Sequence, residues 1–111
     1  MLPSQARLRT ETDFRATVRK GIRVGRRCLV LHTCSRPALP SRAGFVVPKA
    51  VGNAVTRNRV KRRLRHLVAT ELRGNDPGLD VVVRALPAAV DGPLAEDFHS
   101  AWASALQRLA G

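Results

Sequence analysis

The segment at residues 57–65, RNRVKRRLR, places the strongest constraint on how this chain can fold. It holds six cations in nine positions and no acidic residue. Burying so many unpaired charges in a core would be prohibitively costly, and an ordinary solvated helix face mixes acidic with basic residues. A cluster of one sign repels itself unless a polyanion lies against it. We therefore expect this segment to face outward, toward a phosphate backbone.

The same segment lies within the longest helix that the sequence predicts, at about residues 54–73. Its cations, called the basic cluster from here on, are Arg57, Arg59, Lys61, Arg62, Arg63 and Arg65. Apolar residues recur at helical spacing and define one stripe for burial, namely Val60, Leu64, Leu67, Val68 and Leu72. The basic cluster is thus the solvent side of an amphipathic helix. It lies in the N-terminal half, where free backbone amides add positive potential.

Length and charge describe a small nucleic-acid-binding protein. A chain of 111 residues with 44% apolar content fits one domain, residues 1–111, with a hydrophobic core. The net charge is +12, and residues 1–70 alone carry +15, whereas residues 71–111 carry −3. Two cysteines are too few for a disulfide framework or a zinc site. Neither a signal peptide nor an apolar run of membrane-spanning length is present, so we expect a cytoplasmic protein without a membrane partner.

The pattern of elements predicts an α+β sandwich. A flexible basic arm at 1–9 precedes a helix at about 11–20, in which Phe14 and Val18 share an apolar side and which Gly21 ends. Strands follow at 22–24, 28–34 and 43–48, then the basic helix, a strand at 79–86 and a last helix from about 93. The apolar run at 81–83 predicts a strand buried on both faces. One small sheet with helices packed on it accounts for this order.

The sequence offers no recognisable catalytic site. Its serines and cysteines lie outside nucleophile motifs such as Gly-x-Ser-x-Gly, and His32, His66 and His99 are scattered. Nuclease chemistry would call for paired histidines with a lysine, or for clustered carboxylates, yet the basic half contains only Glu11 and Asp13. Aromatic residues are too few for a domain that stacks bases. Affinity for nucleic acid is therefore expected to come from charge and backbone shape.

Three features each allow two interpretations, two of them beside the basic cluster and one on a predicted strand. Gly52 and Asn53 could permit close approach of an RNA backbone, or could form a turn that needs a positive φ. Asn58 could bind a base or ribose edge, or could simply be solvated, because asparagine is a poor helix former. His32, on a predicted strand, could face a groove or be partly packed.

The run AGFVVPKAVGNAVTRNRVKRRLRHL at residues 43–67 resembles the signature of the bacterial ribonuclease P protein subunit. That signature is a strand ending in a lysine-containing turn, followed by Gly-Asn-Ala-Val, one variable residue, Arg-Asn-Arg and Lys-Arg. RLRTETDFRATVRKG at residues 7–21 resembles the N-terminal segment of the family. LVLHTC and DVVVRALPAA match its first and last strands. The resemblance covers essentially the whole chain.

The resemblance implies three helices and one four-stranded sheet in α-β-β-β-α-β-α order, with a left-handed crossover between parallel strands that breaks the usual rule. It also implies a function. The partner would be the ribonuclease P RNA, which removes the 5′ leader of precursor tRNA in a Mg²⁺-dependent reaction, with one protein chain per RNA and no metal site or catalytic residue in the protein. The alternative is a structural ribosomal or general RNA-binding protein.

Carried over by position, the resemblance implies two sets of contact residues. Those for the catalytic RNA would be Arg57, Asn58, Arg59, Lys61, Arg62 and Arg65. Those for a leader cleft between the first helix and the sheet would be Phe14, Val18 and His32, with Lys49 at its edge. The chain has Val18 and His32 where many relatives have aromatic residues, and Pro48-Lys49-Ala50 where Ser-Lys-Lys is usual. A cleft with so few stacking residues puts its base preference in question, while binding through charge remains expected.

Overall fold

A computed structural model of the chain describes residues 11–36, 40–74 and 78–110. Within these ranges the helices are α1 (Glu11–Lys20), α2 (Ala54–Gly74) and α3 (Leu94–Ala110). The strands are β1 (Ile22–Gly25), β2 (Leu29–Ser35), β3 (Arg42–Val46) and β4 (Leu79–Ala85). Short 3-10 turns at Lys49–Val51 and Pro87–Ala89 precede α2 and α3. The predicted α+β class and element order are confirmed, and the predicted arm at residues 1–9 lies outside the described residues.

The four strands form one mixed sheet in the order β1-β2-β4-β3. β2 pairs antiparallel with both β1 and β4, whereas β3 and β4 are parallel. Helix α2 is the crossover that joins these two parallel strands, because it lies between them in the chain. The left-handedness of that crossover stays a prediction from the family resemblance. Val81, Val82 and Val83 of β4 are each at most 2% exposed, so the predicted burial of both faces of this strand is confirmed.

The main core lies between one face of the sheet and helices α2 and α3. Leu31 and Val83 contribute from the sheet, Leu64 from α2 and Phe98 from α3, and all four are fully buried. Burying a side chain of this size contributes about 1.5–3 kcal/mol. The predicted stripe of α2 is confirmed, since its members are either buried in this core or packed against its edge. The outer side of α2 is thereby left for the basic cluster.

Helix α1 lies on the opposite face of the sheet and covers only part of it. Thr17 is buried there, and the Phe14 ring packs over Gly44 of β3, where a Cβ atom would overlap it. The Gly21 amide donates to the Thr17 carbonyl at 2.9 Å, which ends the helix as predicted. Val18, however, is 46% exposed. The apolar side of α1 is therefore the wall of an open groove.

Asp80 fastens the edge strand β3 to the centre of the sheet. Arg42 donates from Nε and Nη2 to the two Asp80 carboxylate oxygens at 2.9 and 2.8 Å, a bidentate geometry of the strong kind. Arg36 Nε lies 3.5 Å from Asp80 Oδ1. The Leu79 amide also donates to Ser41 Oγ at 2.7 Å. These contacts fix β3 beside β4, although the chain between β2 and β3 contains two prolines.

Candidate nucleic-acid interface

The start of α2 is set by a turn and a cap. Gly52 has φ +155°, a conformation that residues with a Cβ rarely adopt, so the turn interpretation of this glycine is supported. Asn53 Oδ1 accepts a hydrogen bond from the Thr56 amide at 2.9 Å, as an N-cap residue does. The Gly-Asn pair therefore orients the helix that carries the basic cluster. Its structural role is sufficient to explain both residues.

The basic cluster occupies two sides of α2. Arg57, Lys61 and Arg65 recur every four residues along one flank and are half-buried. Arg59 and Arg62 are exposed, as is the third cation of the outer side, Arg63. The first turn of the helix contains no acidic residue. The positive potential of the helix N-terminus therefore adds to that of the side chains, which favours a polyanion here.

A small hollow, the α2 hollow, opens between the end of β3 and the first turns of α2. It measures about 170 Å³ and is lined by Val47, Ala54, Arg57, Asn58 and Lys61. The Nε atom of Arg57 is buried and has no hydrogen-bond partner among the described residues. Because a guanidinium group offers only donors, such an atom is suited to an acceptor supplied by a ligand. The hollow thus brings together three of the residues predicted to contact RNA.

A larger groove, the α1 groove, lies between α1 and the sheet. It has a volume of about 580 Å³ and is lined by Phe14, Arg15, Val18, Arg19, His32, Val46, Val82 and Arg84. Three of the four predicted cleft residues, Phe14, Val18 and His32, therefore lie together. Lys49 does not line this groove. It is exposed in the 3-10 turn that follows β3.

The strand register explains the floor of the α1 groove. Arg23, His32, Val82 and Gly44 are directly opposite one another across the four strands, so they form one row on a single face. Arg84 belongs to the next row on the same face, since it follows Val82 by two residues. The centre of the floor is consequently formed by His32 and Val82, and the guanidinium-bearing residues Arg23 and Arg84 are their neighbours on the same face.

Sequence reasoning missed three arginines that line the α1 groove: Arg15, Arg19 and Arg84. A signal for the first two was present, because each follows a predicted cleft residue by one position and the two are a helical turn apart. Arg84 shares a face of β4 with Val82, so it could have been predicted only once it was known which face of that strand lies toward α1. No Asp or Glu lines the groove within the described part of the chain. The groove is therefore suited to a chain that is both apolar and anionic, such as a single RNA strand.

His32 is the titratable group on this floor. It is only 7% exposed. Burial, and then the positive charges of Arg23 and Arg84, lower the pKa of the imidazole below its ordinary value. The ring is therefore neutral at physiological pH, so His32 adds no positive charge to the empty groove.

The described residues give little support to catalysis by side chains. Cys28 is buried, and its burial together with a hydrogen bond to Asp97 raises the pKa of the thiol to about 11, which disfavours the reactive thiolate. Within these residues, His, Cys, Asp and Glu side chains form no group of three suited to a metal ion. A helix long and apolar enough to cross a membrane is also absent from them.

The α1 groove and the α2 hollow meet at the end of β3. Val46 lines the groove and the next residue, Val47, lines the hollow. Successive residues of an extended chain point to opposite sides, and their Cα atoms are only about 3.8 Å apart. The two basic surfaces are therefore separated by the thickness of one edge strand.

Comparisons with known proteins agree on one family. A family model described as Ribonuclease P matches residues 2–110. The chain is 54% identical over 113 residues to the ribonuclease P protein component of Kocuria rhizophila, covering 99% of this chain and 100% of that protein. It is 52% identical over 123 residues to that of Streptomyces bikiniensis, covering 100% and 97%. The solved RNase P protein of Staphylococcus aureus is similar with a TM-score of 0.81 at 28% identity, covering 90% of this chain and 94% of that one.

Proposed function

The chain belongs to the bacterial ribonuclease P protein family and is a protein component of that enzyme, and we propose that it acts by holding two RNA segments side by side. The basic cluster and the α2 hollow bind the catalytic RNA subunit. The α1 groove binds the single-stranded 5′ leader of precursor tRNA. One protein chain serves one RNA, in the cytoplasm where precursor tRNA is processed.

The observation that carries this proposal is the shared border at Val46 and Val47. A leader in the α1 groove and a catalytic RNA on α2 would both contact β3 from opposite sides. Guanidinium groups beside each surface would neutralise phosphates that otherwise repel one another. The protein would therefore lower the electrostatic cost of bringing the leader to the catalytic RNA, without touching the bond that is cut.

Bond cleavage is assigned to the RNA subunit and to the Mg²⁺ ions bound to it. This assignment is supported by the described residues that line the two basic surfaces, which are cationic or apolar apart from Asn58 and the His32 imidazole and include no carboxylate. Side chains of that kind can bind phosphates and stack against bases, but they offer no general base at neutral pH other than the buried imidazole. The protein then strengthens RNA binding and lowers the Mg²⁺ concentration that cleavage requires, because its cations replace part of the ionic screening between phosphates.

Reconstitution tests the proposal directly. The RNA subunit alone, the protein alone and the two together are incubated with a precursor tRNA at low Mg²⁺ concentration, and release of the leader is followed. We expect cleavage only in the combined sample at low Mg²⁺, and cleavage by the RNA alone at high Mg²⁺. Cleavage by the nucleic-acid-free protein would refute the assignment of the chemistry to RNA.

The same assay separates leader binding from RNA-subunit binding. Arg84→Ala changes the α1 groove only, whereas Lys61→Ala changes the α2 hollow only. We expect Arg84→Ala to weaken precursor tRNA with a long leader more than precursor tRNA with a one-nucleotide leader, and Lys61→Ala to weaken assembly with the RNA subunit for both substrates. Equal effects of both variants on both substrates would argue against two separate surfaces.

A structural ribosomal protein would carry a similar charge, and composition alone does not separate the two functions. The family membership favours the ribonuclease P role. Sequencing the RNA that copurifies with the chain from its own cells decides between them, because ribosomal RNA alone would support the alternative.

A further inference from the structure

His32 occupies an unusual position for an ionisable side chain. It lies in the middle of the sheet, on the floor of the α1 groove, and is more than nine-tenths buried. Its Nδ1 atom is inaccessible and has no hydrogen-bond partner among the described residues. Buried polar atoms are nearly always paired, so an unpaired one at a binding surface indicates that a partner arrives with the ligand.

Among the described residues, the charged groups around this ring are almost all positive. Strand β1 presents Arg23 directly opposite His32, and β4 presents Val82 opposite with Arg84 in the next row. Helix α1 contributes two more arginines to the groove wall, Arg15 and Arg19. Strand β3 presents Gly44 and Val46 on this face, neither of which titrates, and Arg42, whose guanidinium group is paired with Asp80.

Further along the same face, the next row contains Cys34 of β2 and Asp80 of β4. The Asp80 carboxylate is already engaged by Arg42 and Arg36 and does not line the groove. Among the described residues, the empty groove therefore gives His32 no counter-charge. A phosphodiester chain would bring one.

We propose that His32 makes RNA binding in the α1 groove depend on pH, by taking up a proton when a single-stranded phosphodiester chain enters. This inference rests on the proposal that the groove binds single-stranded RNA. In the empty groove, the guanidinium groups of Arg23 and Arg84 oppose a positive charge on the ring. Phosphates that neutralise these guanidinium groups remove the opposition, so the protonated ring becomes a further cation facing the bound strand.

Linkage fixes the direction of the effect. If bound RNA raises the pKa of His32, protonation must strengthen RNA binding by the same factor. Affinity then rises as the pH falls through the interval between the bound and the free pKa. Each unit by which RNA raises the pKa corresponds to a tenfold gain in affinity at the acidic end.

The test measures the affinity of the full chain for a short unstructured RNA oligonucleotide between about pH 8 and pH 5.5, at constant ionic strength, around the ordinary histidine pKa. We expect the wild type to bind more tightly at acidic pH and His32→Gln to lose most of that gain. His66→Gln is the matched control, because His66 is exposed on α2, away from the groove, and should keep the wild-type profile. Parallel profiles for the wild type and His32→Gln would overturn the inference, even if both bind RNA well.

A second measurement does not depend on the folding of His32→Gln. The pKa of each imidazole is read from its ring proton shifts by NMR, with and without the oligonucleotide. His66→Gln and His99→Gln assign the other two histidines, which leaves His32 identified. We expect its pKa to rise when RNA is added, and an unchanged pKa would overturn the inference. Failure to bind the oligonucleotide at any pH would instead remove the groove proposal itself, and this inference with it.

Discussion

Arg59 and Arg62 lie on the exposed side of α2, so their removal should show how many phosphates this helix contacts. Each protein cation that neutralises a phosphate of a duplex contributes roughly 0.9, the value for B-DNA, to the slope of log affinity against log salt. The five cations predicted to contact the RNA subunit are Arg57, Arg59, Lys61, Arg62 and Arg65. Together they give a slope of about −4.5, so a fourfold rise in salt weakens binding about 500-fold.

Either single substitution, Arg59→Ala or Arg62→Ala, should reduce the steepness of this slope by about 0.9. The same fourfold rise in salt then weakens binding about 3.5-fold less than in the wild type. The assay is a filter-binding titration of the RNA subunit at several salt concentrations, with folding checked by circular dichroism. Because both side chains are exposed and repel their neighbours, we expect no loss of stability.

Arg73→Ala is the matched control for this experiment. Arg73 is also exposed on α2, but it lies in the last turn, beyond the basic cluster. It removes the same charge from the same helix and should leave the slope unchanged. Equal changes in all three variants would mean that net charge alone attracts the RNA. Unchanged slopes for Arg59→Ala and Arg62→Ala would refute the assignment of phosphate contacts to this side of the helix.

Three further predictions concern the scaffold of the two surfaces. Asp80→Ala removes the carboxylate shared by two arginines and should lower the free energy of unfolding, measured by urea denaturation, by about 2 kcal/mol. A loss below about 0.5 kcal/mol would contradict the role of this carboxylate in holding β3 beside β4. Gly44→Ala should displace the Phe14 ring, cost about 1–3 kcal/mol and weaken oligonucleotide binding. Gly25→Ala should do neither, because a Cβ atom there meets only the Arg23 side chain, at an ordinary contact distance of 3.9 Å. Folding lowers the pKa of His32, so the unfolded chain binds more protons than the folded chain below about pH 6.5. Acidification should therefore destabilise the wild type more than His32→Gln. Equal urea midpoints of the two proteins across that pH range would contradict this prediction.

Much of the α2 surface could be predicted from the sequence, because a single helix carries it. Helical periodicity separates Val60, Leu64 and Val68 from the cations by angle alone, and the structure buries all three. The α1 groove was predicted only in part. Its walls come from elements far apart in the chain, so its membership depends on how the helix sits on the sheet. For this reason Arg84 was missed, and Lys49, expected at the edge of the groove, is not among the residues that line it.

The amino-acid sequence by itself determined the order of elements, the outward face of the basic helix and the family, because these depend on local periodicity and on contiguous motifs. Only the tertiary structure decided that β3 is an edge strand beside β4, with the α1 groove on one side of it and the α2 hollow on the other. Strand pairing sets that arrangement through contacts between residues distant in the chain, such as Val46 with Arg84 and Arg23 with His32. Periodicity within one strand carries no information about which other strand will pair with it.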